Sequence, residues 1–154
     1  MKTFRQYIKE SSDYRGEHTA PDKNSGAPGH DVTANGIYPK DVYSHNGFRY
    51  YGDQGNDYDH KSFSKMQSMK DKPDEKVLIH RAVPKSVHKE ALKKEAPLRH
   101  MIRPGDWVSI SKEYAKEHGE SVLKGDYHIA SMRVPARHIY TNGDSHHEWG
   151  YDPS

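Results

Sequence analysis

The residues that invite a chemical reading are an arginine, two serines and a glutamate, each in its own segment. Arg81 lies inside the run VLIHRAV, Ser109 and Ser111 stand one residue apart in WVSISKEYA, and Glu148 sits in HHEWGY. Each type has an ordinary structural use. A strand arginine often makes an ion pair, a serine before a helix caps it, and a late carboxylate is commonly a surface charge. Their joint occurrence, in order and on separate elements, is what singles them out: together a guanidinium, hydroxyls and a carboxylate can bind and polarise a polar substrate. Four familiar motifs are absent: G-x-G-x-x-G, the phosphate-binding P-loop, H-E-x-x-H and G-x-S-x-G. The chain has twelve histidines and no cysteine, so disulfides, thiolate metal sites and cysteine nucleophiles are excluded. His146-His147-Glu148 is the densest group of metal-ligand types. Adjacent residues on a strand point to opposite faces, so a shared ion would need a loop conformation and distant ligands. Surface histidines and no metal are the expectation.

These residues fall on elements that local rules define. Val77–Val83 is β-branched, bounded by KPDE and closed by Pro84, and reads as a strand carrying Arg81. Pro104-Gly105 turns into a strand over residues 107–110. Ser111 is placed to cap a helix through Tyr114 and Ala115 that stops at Gly119. A strand over 127–134 follows, broken by Pro135, then His138-Ile139-Tyr140, the turn Asn142-Gly143, and Glu148–Tyr151. Before these, Ser62 reads as the cap of a short helix with Phe63, Met66 and Met69 as its apolar stripe. Ser86 reads as the cap of another, bearing Val87, Ala91 and Leu92, that ends before Pro97. Phe4, Tyr7 and Ile8 have helical spacing within residues 3–10. From Ser11 to Asp59 the chain is crowded with Gly, Pro, Asn, Asp and Tyr, which is turn chemistry. Such a stretch cannot form a conventional core and is either disordered or a binding surface. Its tyrosines (Tyr14, Tyr38, Tyr43, Tyr50, Tyr51, Tyr58) argue for order.

Whole-chain properties bound the answer. At 154 residues the chain fits one domain, with 1–76 loop-rich and 77–152 holding the regular core. Leu, Ile, Val and Phe make up about 14% of it, below the ~20% at which disorder is a live prior. The 24 basic and 22 acidic residues nearly cancel, which is not the disorder signature, and eleven tyrosines supplement a thin core. A formal charge of +2 is far from the strongly basic domain that argues for nucleic acid. No apolar run nears the ~18 residues of a membrane span. The charged start MKTFRQYIKE does not read as a signal peptide, so a cytoplasmic location is expected. Short interleaved strands and helices predict an α+β domain of small twisted, mainly antiparallel sheets.

The blocks VLIHRAVP, GDWVSISKEYAKEHG and HHEWGYD resemble the ADP-ribosyltransferase superfamily in its arginine–serine–glutamate form, especially the versions found in phage and mobile-element proteins. YRGEHTAPDKNSGAPGHDV through GIYPKDVYSHNGFRYYG looks like the N-terminal extension of such proteins. The resemblance implies an ADP-ribosyltransferase-like core that uses NAD as substrate. Arg81 would hold the pyrophosphate or the nicotinamide-side ribose, Ser109 would position NAD and the catalytic carboxylate, and Ser111 would support that turn. Glu148 would be the catalytic carboxylate. The implied partner is a host protein or nucleic-acid acceptor, with no membrane and no metal, and the setting is the host cytoplasm. A non-catalytic binding protein on the same fold, blocking a host factor, is the rival reading.

The chain departs from that family's pattern at Ala82, where many relatives have glycine, and at Ile110, often threonine. At His146 relatives that modify arginine often carry glutamate, and the resemblance puts the choice of acceptor there. Arg15-Gly16 is a second candidate for the strand arginine. His18, Asp22, His30 and Asp31 either line the substrate side of the cleft or satisfy loop backbone.

Overall fold

The computed structural model describes residues 20–52 and 57–154; the expected helix over 3–10, Tyr14, Arg15-Gly16 and His18 lie outside them. The backbone of the fold is the pairing of two nine-residue strands, β2 (Lys76–Pro84) and β4 (Tyr127–Pro135). They run antiparallel with Lys76 opposite Pro135 and Pro84 opposite Tyr127. Around them stand β1 (Ala27–Pro28), β3 (Trp107–Ser109), β5 (Ile139–Thr141) and β6 (Glu148–Tyr151). All six join one sheet in the order β1-β5-β6-β3-β2-β4, every pairing antiparallel. The expected mixture of helix and antiparallel sheet is present, but as one continuous sheet in place of several small ones. Short strands gain their backbone bonds from neighbours on both sides, so β3 persists at three residues because β2 and β6 flank it.

Among the described residues, five α-helices accompany the sheet: α1 (Gly47–Tyr51), α2 (Asp57–Ser68), α3 (Lys85–Leu92), α4 (Leu98–Met101) and α5 (Lys112–Val122). None among the described residues is long and apolar enough to cross a membrane. Ser62 lies inside α2 instead of capping it, because the buried face extends back through Asp59, Ser62, Phe63 and Met66 at helical spacing. Ser86 likewise lies inside α3, which Pro84 precedes. The pyrrolidine ring suits the position ahead of a first turn. Ser111 caps α5 as expected, accepting the Tyr114 N–H at 3.1 Å.

That helix runs through Gly119 instead of stopping there. It ends where Lys124 and Gly125 both take positive φ, 53° and 80°, and the Gly125 N–H returns to the Gly119 carbonyl at 3.3 Å. Gly119 serves packing: a Cβ there would meet three ring carbons of Tyr127 at 2.6–2.8 Å.

The glycine-rich first half also departs from expectation. Val32 and Val42 are buried in the same cluster as Phe63, Met66, Ile79, Val108 and Trp149, so this stretch contributes to the core. Tyrosine hydroxyls tie it down. Tyr43 accepts the Val32 N–H at 2.9 Å, Tyr51 donates to Asp41 at 2.6 Å, and Tyr140 donates to the Pro21 carbonyl at 2.6 Å. A phenol buries its ring while its hydroxyl satisfies loop backbone, which lets an aliphatic-poor segment order.

Candidate functional site

The sheet order places β3 between β2 and β6, and the register does the rest. Ser109 is opposite His80 on one side and opposite Glu148 on the other. Three strands remote in sequence thus bring Arg81, Ser109 and Glu148 to one cleft, whose wall also includes His80, Trp107, Tyr114 and His118. The cleft is open to solvent and encloses about 130 Å³, less than the roughly 300–1,000 Å³ of a typical small-molecule site. Arg81 and Ser109 are buried, while Glu148, Tyr114, Trp107 and His118 are partly exposed.

Arg81 is held from two directions. Its Nη1 donates to the Trp107 carbonyl at 2.8 Å, and its Nε lies 3.6 Å from Asp106 Oδ2, both side chains being buried. Asp106 also accepts the Arg103 N–H at 2.8 Å, so the turn into β3 and the strand arginine are fixed together. The structural ion pair and the cleft position are both present in this one residue. Ser109 Oγ accepts the Ser111 N–H at 3.0 Å. Ser111 itself does not line the cleft; its Oγ caps α5 and approaches Glu113 at 3.4 Å. Its contribution is to aim the turn that carries Ser109.

Glu148 Oε1 accepts a hydrogen bond from the Tyr114 hydroxyl at 2.7 Å. Burial, and then this carboxylate, push the Tyr114 phenol far above its ordinary range, so it stays protonated and remains a donor to Glu148. His80 has its pKa lowered, first by burial and then by Lys112. Its Nδ1 lies 2.7 Å from Ser131 Oγ, and the neutral ring is the favoured form at the cleft wall.

Tyr114 and His118 line the cleft although no motif in the sequence marks them as site residues. The available signal is their i, i+4 spacing on the helix that follows the serine pair, which turns both to one face.

Other expected positions lie elsewhere. His146 is 3% exposed and packs its ring 5.4 Å from that of Phe63, so it does not line the cleft. His147 is 4% exposed, and neither is a surface histidine: the chain bends just before β6 and turns both inward. Asp22 accepts the Asn24 N–H, and Asp31 accepts the Thr33 N–H. With His30, they stand outside the cleft lining; the two aspartates satisfy loop backbone.

No family model, curated protein or solved structure matches the chain.

Proposed function

We propose that the cleft binds NAD and that the protein is a mono-ADP-ribosyltransferase acting on a host macromolecule. The observation that supports this reading is the convergence of Arg81, Ser109 and Glu148 on one cleft from β2, β3 and β6. In this reading the buried Arg81 lends positive charge to the pyrophosphate side, and the Ser109 hydroxyl orients the nicotinamide-side ribose. Glu148, partly exposed and steadied by Tyr114, takes a hydrogen bond from the ribose 2′-hydroxyl. The bond between ribose C1 and nicotinamide breaks with its electron pair going to the nicotinamide nitrogen, leaving an oxocarbenium-like ribose. A fixed carboxylate favours that charge more than it favours ground-state NAD. The acceptor then bonds to C1 and gives up its proton.

Nicotinamide release from NAD, measured with candidate host lysate present, tests the proposal. Wild type is expected to release nicotinamide above background. Glu148→Gln is expected to lower kcat by about a hundredfold or more with NAD affinity within about threefold, because the carboxylate acts chiefly in the transition state. Equal background rates in both proteins overturn the enzyme reading. An unchanged biological effect of Glu148→Gln, with a host partner still bound, would favour the non-catalytic binding protein instead.

A further inference from the structure

Beside the cleft, and outside its lining, lies a buried cluster of Asp59, His146 and His147. Asp59 is 1% exposed, on α2, and the two histidines are 3% and 4% exposed, in the bend before β6. One ligand atom from each lies within 4.8 Å of the others. His147 Nε2 approaches Asp59 Oδ1 to 2.5 Å, yet no hydrogen bond of ordinary geometry joins them. Neither ring nitrogen of His147 has a hydrogen-bond partner among the described residues. Buried polar groups are nearly always bonded, and an imidazole without a hydrogen bond, set against a carboxylate and a second imidazole, presents a ligand atom on which a cation could sit.

We propose that Asp59, His146 and His147 form a binding site for a divalent first-row transition metal ion, with zinc as its simplest occupant. Two imidazoles and one carboxylate suit Zn²⁺ or Fe²⁺ and do not suit the oxygen-preferring Mg²⁺ or Ca²⁺. Ligands about 2.0–2.1 Å from a tetrahedral zinc stand roughly 3.3 Å from one another. Shifts of about an ångström bring the three groups onto one ion. Two consecutive histidines can share it because the chain is bent there and not extended, and the third ligand comes from a helix nearly ninety positions earlier.

The surroundings are those of a built site. The Tyr114 ring stacks on His147 with centroids 4.9 Å apart and planes 11° off parallel, and Phe63 abuts His146. Trp149 Nε1 donates to the His146 carbonyl at 2.8 Å, and the His147 N–H donates to Ser145 Oγ at 3.0 Å. The ion would tie α2 to the segment that ends at Glu148. Metal occupancy would then set how firmly that carboxylate and its Tyr114 partner are held. The proposal stands on these side chains alone and not on NAD chemistry.

The test uses the full chain, stripped with EDTA and dialysed against zinc alone. About one zinc per chain and a rise of several degrees in Tm are expected. X-ray absorption at the zinc edge should show two imidazoles. Asp59→Ala and His147→Gln, confirmed folded by circular dichroism, should each bind zinc at least tenfold more weakly. Substoichiometric binding by wild type, a coordination shell without two imidazoles, or full affinity in both folded variants would overturn the site. If the variants fail to fold, the absorption spectrum of wild type still decides. None of these readouts depends on nicotinamide release, so the metal site and the transferase activity fail or stand separately.

Discussion

Tyr114 shows how one side chain can tie two groups of the molecule together. Its hydroxyl donates to Glu148, its ring stacks on His147, and burial with the adjacent carboxylate keeps it protonated. Tyr114→Phe keeps the ring and removes one hydrogen bond to a charged acceptor, an interaction of about 1.5–3 kcal/mol. We expect nicotinamide-release kcat to fall roughly ten- to a hundredfold, KM for NAD to change little, and zinc affinity to stay within a few-fold. A fall in NAD affinity with kcat intact would show that Tyr114 contacts the ligand directly and does not position Glu148. Asp59 makes a parallel point. Its placement four residues before Phe63 puts a carboxylate on the buried face of α2, beside Ser62; with Ser62 read as the helix cap, the sequence alone leaves Asp59 outside the helix.

At the scale of elements, α5 carries two local decisions that separate. Its start is chemical: Ser111 accepts the Tyr114 N–H, and Ser111→Ala should cost about 1 kcal/mol in urea denaturation whereas Ser111→Gly costs only a few tenths. Equal losses in the two variants would mean that the cap is not what stabilises the turn. Its interior is steric. Alanine is the better helix former by about 1 kcal/mol, yet Gly119→Ala drives a methyl against the Tyr127 ring. Overpacking of that kind costs about 1–3 kcal/mol. The net expectation is destabilisation, relieved in the double variant with Tyr127→Leu. A stabilised single variant would refute the close packing. Strand β3 is the opposite case, a three-residue element that owes its existence to partners on both sides.

For the molecule as a whole, the histidines give stability a direction in pH. Burial lowers the pKa of His80, His128 and His138 below the ordinary 6.5, with Lys112, His88 and Arg137 respectively adding to the effect. On acidification the unfolded chain takes up these protons before the folded one does, so folding stability is full above about pH 6.5 and declines below it. Glu113 and Asp152 are lowered carboxylates. Glu113 is stabilised chiefly by a backbone hydrogen bond, and Asp152 by bonds from Ser154. They extend the loss as pH falls through the carboxylate range. Calorimetry should therefore show Tm level near pH 8, falling between pH 7 and 5, and falling further below about 4.5. A Tm that rises between pH 7 and 5 would contradict the histidine environments.

What the sequence alone determined is local. The β-branched run around Arg81, the serine cap of α5, the apolar stripe of α2 and the Asn-Gly turn follow from propensities and periods acting within one element, and these are where the structure put them to within a few residues. The tertiary structure decided what stands beside what. Strand order set β3 between β2 and β6, and so set Ser109 between His80 and Glu148. A bend before β6, with α2 lying behind it, turned His146 inward towards Asp59 and away from the cleft. Periodicity reports which face of an element is apolar, but not which distant element covers it. Burial, register and the partners of a buried histidine are properties of that cover.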